Sequence, residues 1–266
     1  MLESDAYAFS LAAVVGAAVV VWALSVVERD VSIVDVLWGP MFLIASLVFA
    51  ALVDERGPRA VLVIALTAVW AIRLSGYIAW RKLGEPEDRR YQAIRRRNEP
   101  HFAFKSLYLV FGLQAVLAWI VSLPVLASVG SPGELGALDY AGAAVWITGL
   151  AIETIADWQL ARFKADPRSR GRVLDSGLWR YSRHPNYFGE FMIWWGAYLI
   201  ALSAGAWWTV LSPVLMSVLL LRVSGVVLLE KTIEERRPAY AHYRSRTNAL
   251  FPGPPRSAGG ETKEQR

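Results

Sequence analysis

The sequence predicts an all-α integral membrane protein, a bundle of seven transmembrane helices with its N-terminus outside and its C-terminus in the cytoplasm. Three observations carry this. The chain is 266 residues long and 55% hydrophobic, with a mean hydropathy of +0.34. Its apolar residues fall in blocks of about 17–23, the length that crosses a hydrocarbon core of roughly 30 Å. Its cations are unequally placed: twenty-four Lys and Arg lie on one set of alternate connections and two, Arg56 and Arg59, on the other, which puts the rich side in the cytoplasm.

The first span, 9–27, follows Met-Leu-Glu-Ser-Asp, which has neither a basic n-region nor a small-residue cleavage site and so reads as a retained helix. The second, 33–53, opens in SIVDVLWGP, where Gly39-Pro40 loosens the helix. The third, 60–80, carries Arg73 and ends near Tyr77 and Trp80, before the charged connection GEPEDRRYQAIRRR. A fourth span at 106–128 and a fifth at 139–161 follow, then a basic connection ending in RYSRHPNYFGE, a sixth span at 188–204 and a seventh at 207–229. Residues 1–252 read as one seven-helix domain without internal repeats. Residues 253–266, rich in Pro, Gly and charge, are expected to be disordered.

Several classes are excluded. There is no cysteine, so disulfides, thiolate metal sites and cysteine nucleophiles are absent. No G-x-G-x-x-G after a strand, P-loop, H-E-x-x-H or G-x-S-x-G occurs. His101, His184 and His242 are scattered, and no metal is expected. The net charge of +5 belongs to the cytoplasmic connections and calls for no nucleic-acid partner.

Ionisable groups at bilayer depth are costly unless they face a cavity or a partner. Glu153 and Asp157 stand one turn apart on one helix face; they either form a structural ion pair with Arg73 or Arg222 or accept hydrogen bonds from a ligand. Asp35 either caps its helix, as Ser32 also could, or is a desolvated carboxyl serving as a hydrogen-bond donor. Glu87, Asp88, Arg89, Arg90 and Tyr91 are expected to face the cytoplasm, as a solvated lipid-facing surface or as a lid that holds phosphate. The connection with Lys164, Arg168, Arg170, Arg172, Arg180, Tyr181, Arg183 and His184, and the segment with Lys231, Arg236, Arg237, Tyr240, His242, Tyr243, Arg244, Arg246 and Asn248, mix arginine with aromatics. Such a mixture stacks on a flat heterocycle while pairing its phosphates. His184, ahead of Pro185, either braces the helix entry or donates to a phosphate.

RHPNYFGE with Asp157, the basic connection and the closing EK…RRPAYAHYRSRT…FP resemble the steroid 5-alpha-reductase superfamily, especially its bacterial DUF1295 branch. The resemblance runs through nearly the whole chain. It implies an NADPH-dependent membrane reductase, in a bacterial inner membrane with its cofactor site facing the cytoplasm. Such an enzyme saturates the C=C bond of an enone lipid such as a 3-oxo-Δ4 steroid, which enters from the lipid; a monomer is expected. On the same grounds Asn186, Glu190, Glu153, Asp157, Lys164, Arg172 and Arg73 would meet the cofactor. The reductases use a glutamate in helix two and a tyrosine in helix three to hold the substrate carbonyl. The matching places hold Asp35 and Trp70, so the carbonyl donor is assigned to Asp35, assisted by Trp38 or Tyr77. A shorter pattern, R-H-P-x-Y-x-G with a distal Glu-Glu (Glu234-Glu235), is shared with isoprenylcysteine carboxyl methyltransferases, which use S-adenosylmethionine; Glu230 would join those carboxylates. A lipid-binding or transport bundle is the non-enzymatic alternative.

Overall fold

The computed structural model describes residues 3–223 and 238–256, and among these there is no β-strand. The helices are α1 (Glu3–Glu28), α2 (Val34–Leu52), α3 (Pro58–Lys82), α4 (Arg89–Asn98), α5 (Phe102–Ser106), α6 (Leu113–Val129), α7 (Ala137–Ala165), α8 (Pro185–Ser203) and α9 (Leu211–Val218), followed by a helix at Ala239–Arg246. Helical segments stand at all seven predicted positions, the last followed only to Val223, beyond which the predicted span lies outside the described residues. Among the described residues four segments are long and apolar enough to cross a membrane: 4–28, 31–52, 58–82 and 102–129. The last runs from α5 into α6 through a π-helical stretch at Leu107–Gly112. α7 and α8 have the length, with 29 and 19 residues, but Glu153, Asp157, Asn186 and Glu190 make them less apolar.

The chain divides into two compact units, one of residues 1–140 and 198–212, the other of residues 141–197 and 213–266. In the first unit α1, α2, α3 and α6 bury a core with Phe42, Phe49, Trp70, Phe111 and Leu126 near zero exposure. Phe42 lies edge-on to Trp70, with centroids 5.1 Å apart. Such aromatic pairs add about 0.5–1.5 kcal/mol beyond their area. One end of the unit is closed by Arg59, 3% exposed. Its Nε donates to Asp139 Oδ1 at 2.8 Å, Nη1 to the Ser131 hydroxyl at 2.6 Å and Nη2 to the Glu134 carbonyl at 2.9 Å. The Ser203 hydroxyl donates to Asp139 Oδ2 at 2.7 Å. A buried arginine is tolerated because each of its three nitrogens has an acceptor and its charge is paired with Asp139.

In the second unit α7 and α8 meet backbone to backbone. A Cβ at Gly189 would lie 2.5 Å from the Gly149 carbonyl oxygen, and one at Gly196 would lie 2.7 Å from that of Gly142. Glycines seven residues apart on each helix keep a side-chain-free seam facing the partner. That contact brings the polar residues of α7 level with those of α8.

Candidate functional site

In the first unit the connection from α3 to α5 is a network of acids and bases. Asp30 caps the turn Val31–Ile33 that leads into α2, its Oδ1 accepting from the Ser32 amide at 2.9 Å, and its carboxylate also takes the Lys82 ammonium. Burial acts to raise the Asp30 pKa, but the hydrogen bonds from Lys82 and Ser32 outweigh it and hold the carboxyl below its ordinary value. Glu87 accepts from the Val31 amide at 2.9 Å and from both Nε and Nη2 of Arg95, at 3.0 and 2.7 Å. Asp88 caps α4 through the Arg90 amide at 2.8 Å. It too lies below its ordinary pKa, because hydrogen bonds from Arg90 exceed the effect of burial.

Asp35 is not the helix cap: the N-cap of α2 is Ile33, which makes no side-chain cap, and Asp30 caps the turn before it. The Asp35 carboxylate accepts from Arg90 Nη2 at 2.8 Å and from the Tyr91 hydroxyl at 2.6 Å, and Gln114 of α6 donates to that same hydroxyl at 2.9 Å. Tyr91 is therefore 6% exposed and does not face the cytoplasm as its charged neighbours predict. Burial, followed by the Asp35 charge, pushes its phenol well above the ordinary range, so it stays a protonated donor. Sequence reasoning missed Tyr91, Arg90 and Gln114 as partners of Asp35. The available signal was a lone tyrosine in a run of arginines one cap residue into a helix.

Trp38 packs edge-on against Phe42 at 5.3 Å. The Tyr77 ring lies 5.6 Å from the guanidiniums of both Arg73 and Arg81, one turn before and after it on α3, so Arg73 is held along the helix surface by a cation–π contact. Asp35, Trp38, Arg73 and Tyr77 all belong to the first unit.

The second unit gathers the rest. Asn186 Nδ2 donates to Asp157 Oδ1 at 3.2 Å, linking α8 to α7. Glu153, Asp157 and Glu190 are all buried, and Glu190 Oε1 accepts from Trp194 Nε1 one turn along α8 at 2.8 Å. The approach to α8 is a folded turn. Gly177 has φ +60°, and a Cβ there would lie 2.5 Å from Gln159 Nε2; the Gln159 side chain accepts from the next amide, that of Leu178, at 3.0 Å. Trp179 Nε1 donates to the Ala156 carbonyl at 3.1 Å. His184 is buried and stacks on Tyr187 at 5.5 Å.

The Ala239–Arg246 helix docks on this turn. The Tyr243 hydroxyl donates to the Trp179 and Ser182 carbonyls, and Tyr240 packs edge-on to Tyr243 at 5.6 Å. Arg183 Nη1 donates to the Arg244 and Thr247 carbonyls, satisfying orphan acceptors at the end of that helix. The Gly253 amide donates to the Tyr181 carbonyl at 3.0 Å and the Arg256 amide to the Arg246 carbonyl at 2.8 Å, so residues 253–256 of the predicted tail are tied down. From 257 on the tail lies outside the described residues, as do Lys231, Arg236, Arg237, Glu230, Glu234 and Glu235.

Between the turn and the docked helix is a cavity of about 630 Å³, lined among others by Arg172, Ser176, Arg180, His242, Tyr243 and Arg246. Three guanidiniums, an imidazole and two hydroxyls suit a ligand with several phosphate oxygens. Of the sequence-predicted residues, Arg172, Arg180, His242, Tyr243 and Arg246 line it. Lys164 stands exposed at the end of α7. Among the described residues no group of three or more His, Asp and Glu side chains is placed to hold a metal ion.

The described residues thus combine helices long and apolar enough to cross a membrane, a carboxamide–carboxylate pair between α7 and α8 and a cavity with three arginines in its wall. The chain belongs to the family described as Protein of unknown function (DUF1295), whose model matches residues 21–247. It is 28% identical over 266 residues to the uncharacterized protein C594.04c of Schizosaccharomyces pombe, spanning 88% of this chain and 76% of that relative. No solved structure matches it.

Proposed function

We propose that the protein is an NADPH-dependent membrane reductase that saturates the C=C bond of an enone lipid, a 3-oxo-Δ4 steroid being the model substrate. The observation that carries this reading is the cavity of about 630 Å³ with Arg172, Arg180 and Arg246 in its wall. A dinucleotide with a 2′-phosphate carries enough charge to use three guanidiniums, whereas S-adenosylmethionine carries a sulfonium and no phosphate. The resemblance to steroid 5-alpha-reductases and the polar cluster of Glu153, Asp157, Asn186 and Glu190 support the same assignment. On this reading seven helices span the membrane, the N-terminus lies outside, and the cofactor site faces the cytoplasm of a bacterial inner membrane.

Bound NADPH supplies a hydride. Asn186, fixed by Asp157, offers a carboxamide to orient the nicotinamide end, and the arginines of the cavity pair the phosphates. Hydride addition at the β-carbon builds negative charge on the ketone oxygen, which needs a donor held ready in a dry site. Within the first unit Tyr91 is the donor assigned to that role, its oxygen fixed by Gln114 and Asp35. The α-carbon would then take a proton from water, so that hydride and proton together are added across the C=C bond.

The test is to titrate the purified protein with NADPH, NADH and S-adenosylmethionine while following tryptophan fluorescence, then to assay NADPH oxidation with an enone panel. Preferential NADPH binding with enone-dependent oxidation is expected. Binding of S-adenosylmethionine with indifference to NADPH would overturn the reading.

A further inference from the structure

α4 divides its five arginines between two jobs. Arg90 and Arg95 turn inward and pair with Asp35, Asp88 and Glu87. Arg89, Arg96 and Arg97 are exposed. Helical spacing puts Arg89 and Arg96 seven residues apart on the side away from Tyr91, and the exposed Arg97, seven residues after Arg90, at the edge of that side. The chain on either side of this helix exposes large apolar groups: Trp80 at 60% and Leu83 at 77% at the end of α3, and Phe104 at 65% in α5. α3 and the α5–α6 segment are two of the four helices apolar enough to cross a membrane, so these residues mark where two spans leave the hydrocarbon.

A solvated charged helix would gain nothing from that apolar border, and a soluble phosphate ligand would not need it. Cations beside tryptophan and aliphatic groups at span ends are the composition that lies in a membrane interface. We propose that the outward face of α4 is a docking surface for anionic phospholipid headgroups, with Arg89, Arg96 and Arg97 pairing the phosphates and Trp80, Leu83 and Phe104 seated among the upper acyl chains. This rests on membrane embedding and stands whether or not the protein reduces enones.

The experiment uses delipidated full-length protein in detergent, titrated with short-chain phosphatidylglycerol or phosphatidylcholine, with thermal midpoint as the readout. Phosphatidylglycerol is expected to stabilise at much lower concentration. R89Q/R96Q/R97Q should shift that concentration upward on the order of 100-fold, near fivefold per arginine. R162Q/R168Q/R170Q, which removes equal charge elsewhere, should retain the preference. Should the first variant not fold, the wild-type preference is measured from 0.05 to 0.5 M salt, where it should fade as screening length shortens. Four results would overturn the proposal: equal response to both lipids, equal loss in the two triple variants, a salt-independent preference, or the same stabilisation by free glycerol phosphate.

Discussion

The Tyr91 hydroxyl donates to Asp35 at 2.6 Å, joining α4 to the start of α2 through one short charge-assisted hydrogen bond. Arg90, the preceding residue, takes the other carboxylate oxygen. Two consecutive residues of a short helix thus saturate the one acidic side chain in the first turn of α2.

Replacing Tyr91 with Phe removes the donor and leaves Arg90 on Asp35. Y91F should bind NADPH as the wild type does and reduce enones about 10²-fold more slowly or worse, the range of a lost acid or oxyanion donor. Turnover within threefold of wild type would remove Tyr91 from the mechanism.

Asn186→Ala loses the α8 partner of Asp157 and the carboxamide assigned to the nicotinamide end. Cofactor affinity should fall by roughly tenfold, about one hydrogen bond's worth, with helical circular dichroism unchanged. Unaltered NADPH affinity in a folded N186A would refute the placement.

Gly189→Ala tests the helix seam. Its methyl would meet backbone at both Gly149 and Glu153, so the helices must separate, at about 1–3 kcal/mol. Gly76→Ala is the matched control, since a Cβ there meets nothing within 4 Å and alanine favours the helix by roughly 0.5–1 kcal/mol. Thermal midpoints in detergent should move in opposite directions, and equal shifts would show that the seam is not tight.

The acid limb of stability follows from Asp30 and Asp88. Both have folded pKa values below their ordinary one, so both contribute stability that is present above about pH 4 and is lost as pH falls through the folded values. Lys82→Met removes one hydrogen bond and the opposite charge, leaves only the Ser32 bonds against burial, and should move the acid loss to higher pH. A K82M acid limb superimposed on wild type would contradict that assignment.

How much of this was legible beforehand differs from element to element. Helix positions followed from apolar block length, because a residue such as Val121 or Ile200 is apolar whatever it packs against. Glu153 and Asp157 were found because a carboxylate in an apolar helix stands out against its neighbours. Tyr91 was not, because its environment is made by Asp35 and Gln114, distant in sequence and inconspicuous until α4 folds back. Arg59 was counted only as a loop charge: its partners begin 72 residues later, and no local pattern announces a counter-ion at that distance. Gly149 and Gly189 read as ordinary helix residues until two backbones are seen to touch.

The Arg59 fork also has a consequence for biosynthesis. Every group described above as meeting it, from Ser131 to Asp139, is made after the first three helices, and Ser203, which steadies Asp139, comes later still. While the early helices are entering the bilayer, that guanidinium must remain in water or among headgroups, where its charge is hydrated. Its capture by Asp139 marks the arrival of α7. A chain truncated before α7 would display an arginine that the finished molecule hides.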